Sequence, residues 1–295
     1  MQIAIIGDIH TNWNSTDIHY FNQSSYDLIL ICGDLPGRLH TQTLTIASLL
    51  SKLKKPAVMI PGNHDSTTVQ QLVGEIIQKP SLIGKTGKPQ LERVDQLALS
   101  LAPIQLGGYS IHRFSGIDIL TTRPHSMGGP NLSFQPYLKH RFSVETIEDS
   151  ANLLKKLVDQ TNQDIIFLGH NGPSGLGADR SDIFGCDFKP EMGDFGDTDS
   201  RIALDYAIQT GKKVKAFIGG HMHHHLRGGG KRKWLIQEND IWFVNAARVP
   251  RIFKHNHQLI HHHVRLIINS DSVKVNPVFV SATDLSEMSL SEPII

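Results

Sequence analysis

Five short apolar runs in this chain each stop abruptly at a glycine followed by polar, metal-competent residues. The run over 2–6 ends at Gly7-Asp8-Ile9-His10, and that over 28–32 ends at Gly33-Asp34. Residues 57–60 lead into Pro61-Gly62-Asn63-His64-Asp65, 165–168 into Gly169-His170-Asn171-Gly172, and 214–218 into Gly219-Gly220-His221-Met222-His223. Runs of four to six residues rich in Ile and Val, bounded by glycine, are the pattern of buried strands. Between them the sequence predicts helices over 41–53, 66–78, 143–160 and 200–210. Strand–helix alternation of this kind implies an α/β sheet, which collects ligands at the carboxyl ends of its strands. The expectation is therefore that five strand ends bring their polar residues to one edge of one sheet.

Those residues are of few chemical kinds. Asp8 and Asp34 supply carboxylates, Asn63 a neutral oxygen, and His10, His170, His221 and His223 imidazoles. Histidine is also abundant, at 17 of 295 residues, in a chain whose net charge is only +1. Two carboxylates, one amide and four imidazoles exceed the four ligands one zinc ion takes. They suit two divalent ions about 3.5–4 Å apart that share a carboxylate. Oxygen and nitrogen donors without thiolate favour manganese first, with iron, zinc or cobalt as alternatives.

The order D-x-H, GD-x-x-G, GNHD, GH, GH-x-H resembles the calcineurin-like metallophosphoesterases. Here it reads Asp8-Ile9-His10, Gly33-Asp34-Leu35-Pro36-Gly37, Gly62-Asn63-His64-Asp65, Gly169-His170 and Gly220-His221-Met222-His223, with every ligand position of the pattern filled. The resemblance implies a four-layer α-β-β-α sandwich of two mixed sheets flanked by helices. It implies that Asp8, His10 and His223 hold one metal, that Asn63, His170 and His221 hold the other, and that Asp34 bridges them. It further implies hydrolysis of a phosphate mono- or diester by a hydroxide lying between the metals, with His64 stabilising phosphoryl charge or protonating the leaving oxygen. Two departures narrow the subclass. The aspartate that orients the catalytic histidine in protein Ser/Thr phosphatases is missing from Gly37-Arg38-Leu39. Gly37 also stands where purple acid phosphatases carry their iron-binding tyrosine. The stretches Arg123-Pro124-His125-Ser126-Met127-Gly128-Gly129-Pro130 and Gly169-His170-Asn171-Gly172-Pro173 resemble an uncharacterised subgroup of the superfamily found in oxygenic phototrophs.

Other features carry weaker expectations. Arg123 and Arg38 are candidate phosphate contacts, and a surface salt bridge is an equal reading for Arg123. His224 and His225 are expected behind the ligands or in solvent rather than on a metal. On a strand, the three adjacent side chains of His261-His262-His263 cannot all reach one ion, so a surface strand is the reading there. The basic run from Arg227 to Trp234 reads as a flexible hairpin loop. Residues 172–200 form a loop expected to overhang the site, with aspartates as turn formers and Asp199-Ser200 as a helix start. The strands expected over 241–244, 261–268 and 273–280 suggest a second sheet packed on the first.

The chain is expected to form one domain over 1–284 with a loose tail over 285–295. Near-neutral charge argues against a nucleic-acid-coating protein, so the expected partner is a small phosphorylated substrate, with no membrane and no nucleic acid. A nucleic-acid phosphodiesterase and a non-catalytic metal-binding scaffold on the same fold are the alternatives. Two cysteines and no basic, apolar leader point to a cytoplasmic protein.

Overall fold

The computed structural model describes residues 1–290 except Arg38 and Asp271. In chain order the strands are β1 (Gln2–Ile6), β2 (Leu28–Ile31), β3 (Ala57–Met59), β4 (Gln105–Leu106), β5 (Ser110–Phe114), β6 (Ile117–Thr121) and β7 (Asp164–Leu168). They continue as β8 (Val214–Gly219), β9 (Leu235–Glu238), β10 (Ile241–Asn245), β11 (Ile252–His255), β12 (Gln258–Ile268), β13 (Val273–Ser281) and β14 (Glu287–Met288). The helices are α1 (Ser15–Gln23), α2 (His40–Leu50), α3 (Val69–Ile76), α4 (Pro80–Ile83), α5 (Gly87–Leu101), α6 (Gln135–Phe142), α7 (Ile147–Asp159) and α8 (Thr198–Gln209).

Two mixed sheets result. The first runs β14-β13-β12-β1-β2-β3-β4, with β11 paired to β12, and the second runs β5-β6-β7-β8-β10-β9. Strand alternation sorts the apolar residues into layers. Ile3, Ile5, Leu28, Leu30 and Val58 of the first sheet face Ile119, Ile166, Leu168, Ala216 and Ile218 of the second across a shared core. The opposite faces bury Ala4, Ile6, Ile29 and Ile31 under α1, α2 and α5, and Phe167, Phe217 and Phe243 under α7 and α8. The four-layer sandwich is present.

The five strands that carry the motifs do not share one sheet. β1, β2 and β3 lie parallel in the first sheet, while β7 and β8 lie parallel in the second. Their carboxyl ends nevertheless meet, because the two sheets stack. The late strands also divide: β10 joins β8 in the second sheet, whereas β12 inserts between β1 and β13 in the first. Periodicity cannot foresee this choice, since it is made by pairing with strands far along the chain.

That insertion overturns the surface reading of the histidine triplet. His261, His262 and His263 are all buried. Alternation places His261 and His263 on one face, where His261 Nδ1 meets Asp17 Oδ1 at 2.9 Å and His263 Nε2 meets the Tyr26 hydroxyl at 2.7 Å. His262 lies on the other face against Phe279. The predicted tail is also partly ordered, because β14 pairs with β13 and Glu287 bonds Tyr20 and Arg265. Residues 291–295 lie outside the described residues. No helix among the described residues is long and apolar enough to cross a membrane.

Candidate metal centre

Two clusters of donor atoms form where the sheets meet. Asp8, His10 and His223 make one, and Asp34, His170 and His221 the other, with the ligand atoms of each within 4.8 Å of one another. The clusters adjoin through one atom: Asp34 Oδ2 is 3.8 Å from His10 Nε2 and 3.6 Å from His170 Nε2. Asn63 Oδ1 lies 2.9 Å from His170 Nε2, which adds the amide to the second cluster. All seven residues singled out by the sequence are therefore brought together.

The backbone is bent to achieve this. Asp8, His10, Asp34 and His221 have φ of +31°, +40°, +52° and +65°, in the left-handed region that non-glycine residues occupy at a cost of about 1–3 kcal/mol each. Glycines let the loops close. A Cβ on Gly62 would sit 2.2 Å from Asp34 Oδ1 and 2.5 Å from His170 Cε1, and one on Gly220 would sit 2.4 Å from Asp8 Oδ1. Glycine at these two positions thus permits the close approach of carboxylate and imidazole.

Hydrogen bonds aim the imidazoles. His10 Nδ1–H donates to the Pro36 carbonyl at 3.0 Å and His170 Nδ1–H to the Cys32 carbonyl at 2.5 Å, which turns Nε2 of each ring into the cluster. His221 is held the other way, its Nε2–H donating to the Met127 carbonyl at 3.0 Å. The carboxylates are oriented by backbone donors, with His221 N–H on Asp8 at 3.0 Å and His64 N–H on Asp34 Oδ1 at 2.9 Å. Imidazole nitrogens thus converge with carboxylate and amide oxygens, His170 Nε2 lying 2.9 Å from Asn63 Oδ1 and 3.6 Å from Asp34 Oδ2, and His10 Nε2 3.2 Å from His223 Nε2. Such a set is satisfied by cations, and its mixed O/N chemistry fits divalent metal ions.

The electrostatics of the protein alone express the same demand. Burial pushes the Asp34 carboxyl up, but His170, His64 and His10 outweigh it and hold it below the usual carboxylate range. Burial pushes His170 down, yet the Asp34 and Asp8 carboxylates raise it above an ordinary histidine. In His221, burial and the neighbouring His170 charge win, lowering it to about 3. A ring that stays neutral is a ready ligand.

Asp65, the last letter of the Gly-Asn-His-Asp motif, is the residue whose role sequence reasoning missed. Its buried carboxylate accepts from the backbone N–H groups of Asp34 (2.9 Å), Leu35 (2.7 Å) and Gly62 (2.6 Å), and so ties the β2 loop to the β3 loop. A carboxylate one position after a histidine, in a turn flanked by glycine, was the available signal.

His64 is half-buried and open to the cleft above the clusters, with its ring edge-on to His10 at 5.7 Å. Arg123 is not at the site. It is fully buried, its Nη2 donating to Asp197 Oδ1 at 2.8 Å and its Nε to Asp199 Oδ2 at 2.9 Å. It is neither a phosphate clamp nor a surface ion pair. Both partners come from the 172–200 segment; α8 starts two residues earlier than the expected Asp199-Ser200, with Asp197 preceding its first residue and Asp199 in its first turn. Arg38 lies outside the described residues. His224 is buried behind the clusters, with Nε2 donating to the Asn245 carbonyl at 2.8 Å, and His225 is exposed at the cleft. The basic run is less free than expected, because Arg232 is buried and donates to the Gly185 and Asp182 carbonyls and to Asp187. The 172–200 segment does contribute to the cleft wall, through Asp187, Phe188, Lys189, Met192 and Phe195.

This architecture agrees with the comparisons. The family model for calcineurin-like phosphoesterase matches residues 1–225, and the chain belongs to that family. Among solved structures, one crystal structure superimposes with a TM-score of 0.53 at 10% identity, covering 93% of this chain and 98% of that one. The crystal structure of TT1561 from Thermus thermophilus superimposes with a TM-score of 0.50 at 12% identity, covering 93% and 97%. The sulfate thiohydrolase SoxB of T. thermophilus is more distant, with a TM-score of 0.40 at 13% identity, covering 88% of this chain and 40% of its own. No curated protein matches the sequence at a significant level. At such identities the structural likeness shows the fold.

Proposed function

We propose that the protein is a dinuclear metal-dependent phosphoesterase acting on a small phosphorylated substrate. The observation that carries this reading is the position of Asp34 Oδ2, within 4 Å of an imidazole nitrogen from each cluster. Asp8, His10 and His223 would hold one divalent ion, and Asn63, His170 and His221 the other, with Asp34 shared. Manganese is the metal proposed first, and iron, zinc and cobalt suit the same donors. When bound, the ions supply charge neutralisation at the phosphoryl oxygens and a nucleophile drawn from water near neutral pH.

The protein's own groups then have separable tasks. The second-cluster residues His170 and His221 are fixed by backbone carbonyls, so the donor set is preorganised and need not rearrange when charge develops. The Asp34 carboxylate is pinned by the His64 backbone N–H, and the same residue presents its ring to the cleft. From there the His64 imidazole holds a proton for the departing ester oxygen and adds positive charge beside the phosphoryl group. Burial of both cysteines as free thiols is compatible with a reducing, cytoplasmic setting, which we include in the proposal.

A pair of variants separates ligand from proton donor. Asp34→Asn is expected to lose both metal loading and turnover of aryl phosphates or bis-aryl phosphates. His64→Ala is expected to keep its metals, counted by elemental analysis, and to lose about 10²–10⁴-fold in kcat. Turnover by His64→Ala at the wild-type rate would remove His64 from the chemistry.

A further inference from the structure

The metal-facing floor of the cleft accounts for only part of it. The cavity has a volume of about 820 Å³, in the upper range of sites that enclose a whole small molecule. Its wall beyond the clusters carries Phe188, Phe195, Met127, Met192 and Ile76 among polar residues that include Gln78, Asn131, Ser133 and His225. Three of these are left open to solvent by the fold: Phe188 is 42% exposed, Met192 39% and Ile76 63%. Phe188 and Phe195 meet edge-to-face, with ring centroids 5.1 Å apart at 87°, so Phe188 is braced from behind. Methionines beside an aromatic pair make an adaptable apolar surface. Lys189 and Arg227 stand on the same wall, and the nearby Asp187 is engaged by Arg232 and by the Arg227 backbone N–H. Glu75, also in the wall, accepts from the Phe134 N–H, and burial pushes its carboxyl up to about 7. Lys189 and Arg227 thus place cationic groups on the wall beside these exposed apolar side chains.

We propose that the substrate is a phosphoester whose ester group carries an aromatic ring, seated against Phe188, Met192 and Ile76 while its phosphoryl group lies over the clusters. This rests on the phosphoesterase reading above and adds the substrate class to it. A phosphorylated sugar or a short alkyl phosphate would leave this wall wet, whereas an aryl group covers it.

The test uses two non-hydrolysable probes on manganese-loaded protein, phenylphosphonate and methylphosphonate, titrated by calorimetry. Burial of one ring against this wall is expected to favour phenylphosphonate by about ten-fold or more. In Phe188→Ala and Met192→Ala, each altering an exposed side chain, that ratio is expected to fall towards one. Equal affinity of the wild type for the two probes, or a ratio untouched by both variants, overturns the inference. Protein that binds neither phosphonate, despite carrying its metals, contradicts the phosphoesterase reading itself.

Discussion

Asp65 touches no substrate wall, yet its carboxylate is the knot between the loop that carries Asp34 and the loop that carries Asn63. Burial and the nearby Asp34 charge push it up, to about 7, against the pull of its backbone donors. Three backbone N–H groups converge on its two oxygens. Asp65→Asn would turn an amide NH₂ towards them and leave at least one buried N–H unpaired. The expected cost is about 1–3 kcal/mol in denaturant unfolding, together with weaker metal retention on dialysis. An unchanged midpoint and full retention would contradict the role assigned to it. The candidate donors themselves were legible from sequence because each sits within a few residues of a strand end whose apolar run and closing glycine are local signals. The partners of Asp65 were not, since Asp34 and Leu35 lie 31 and 30 residues away.

At the scale of elements, two buried ion clusters hold the sandwich's loops and helices in place. Arg123, just after β6, grips Asp197 and Asp199 at the start of α8, and Ser126 donates to the same Asp197 at 2.5 Å. The next residue, Met127, supplies the carbonyl that aims His221, so this cluster supports the metal centre from outside it. Arg123→Met leaves two buried carboxylates without their cation, at an expected cost of about 3–5 kcal/mol by urea unfolding. A loss smaller than about 1 kcal/mol, the scale of an exposed pair, would mean that the carboxylates do not depend on it.

The other cluster ties α1 to β12 through Asp17, Arg251 and His261, with Arg251 Nη2 on Asp17 Oδ1 at 2.8 Å. Burial pushes Asp17 up, but Arg251 and His261 outweigh it and lower the carboxyl from 3.8 to about 2. A depressed carboxylate contributes stability that is complete above its unfolded value and is lost as pH falls through the folded one. The gap of about 2 pH units corresponds to roughly 2 kcal/mol. The stability difference between wild type and Asp17→Asn should therefore shrink as pH drops from about 5 to about 2, read by urea unfolding at each pH. A difference constant over that window would contradict the assignment. Neither cluster was legible: Arg123 pairs across 74 and 76 residues, and His261 across 244. What reads as an exposed histidine strand is buried because β12 is an inner strand, a fact of pairing and not of composition.

For the whole molecule, the architecture explains why two sheets are needed for one site. The first sheet delivers Asp8, His10, Asp34, Asn63 and His64 from three parallel strand ends, and the second delivers His170, His221 and His223 from two. Their shared apolar core sets the spacing between the two groups of ligands, so neither sheet alone presents a complete cluster. The candidate donor residues were readable because the motifs are local, and the sandwich was readable through the family resemblance. How the C-terminal strands divide between sheets was not, because that depends on pairing between β1 and β12, at opposite ends of the chain.

Whether the protein is a two-metal phosphoesterase is decided by one titration. Metal-free protein is supplied with increasing equivalents of manganese, and release of phenol from an aryl phosphate or bis-aryl phosphate is followed at each step. The rate is expected to rise with added metal and to saturate at two equivalents per chain. Saturation at a single equivalent, or no release at any loading, would contradict the two-metal reading.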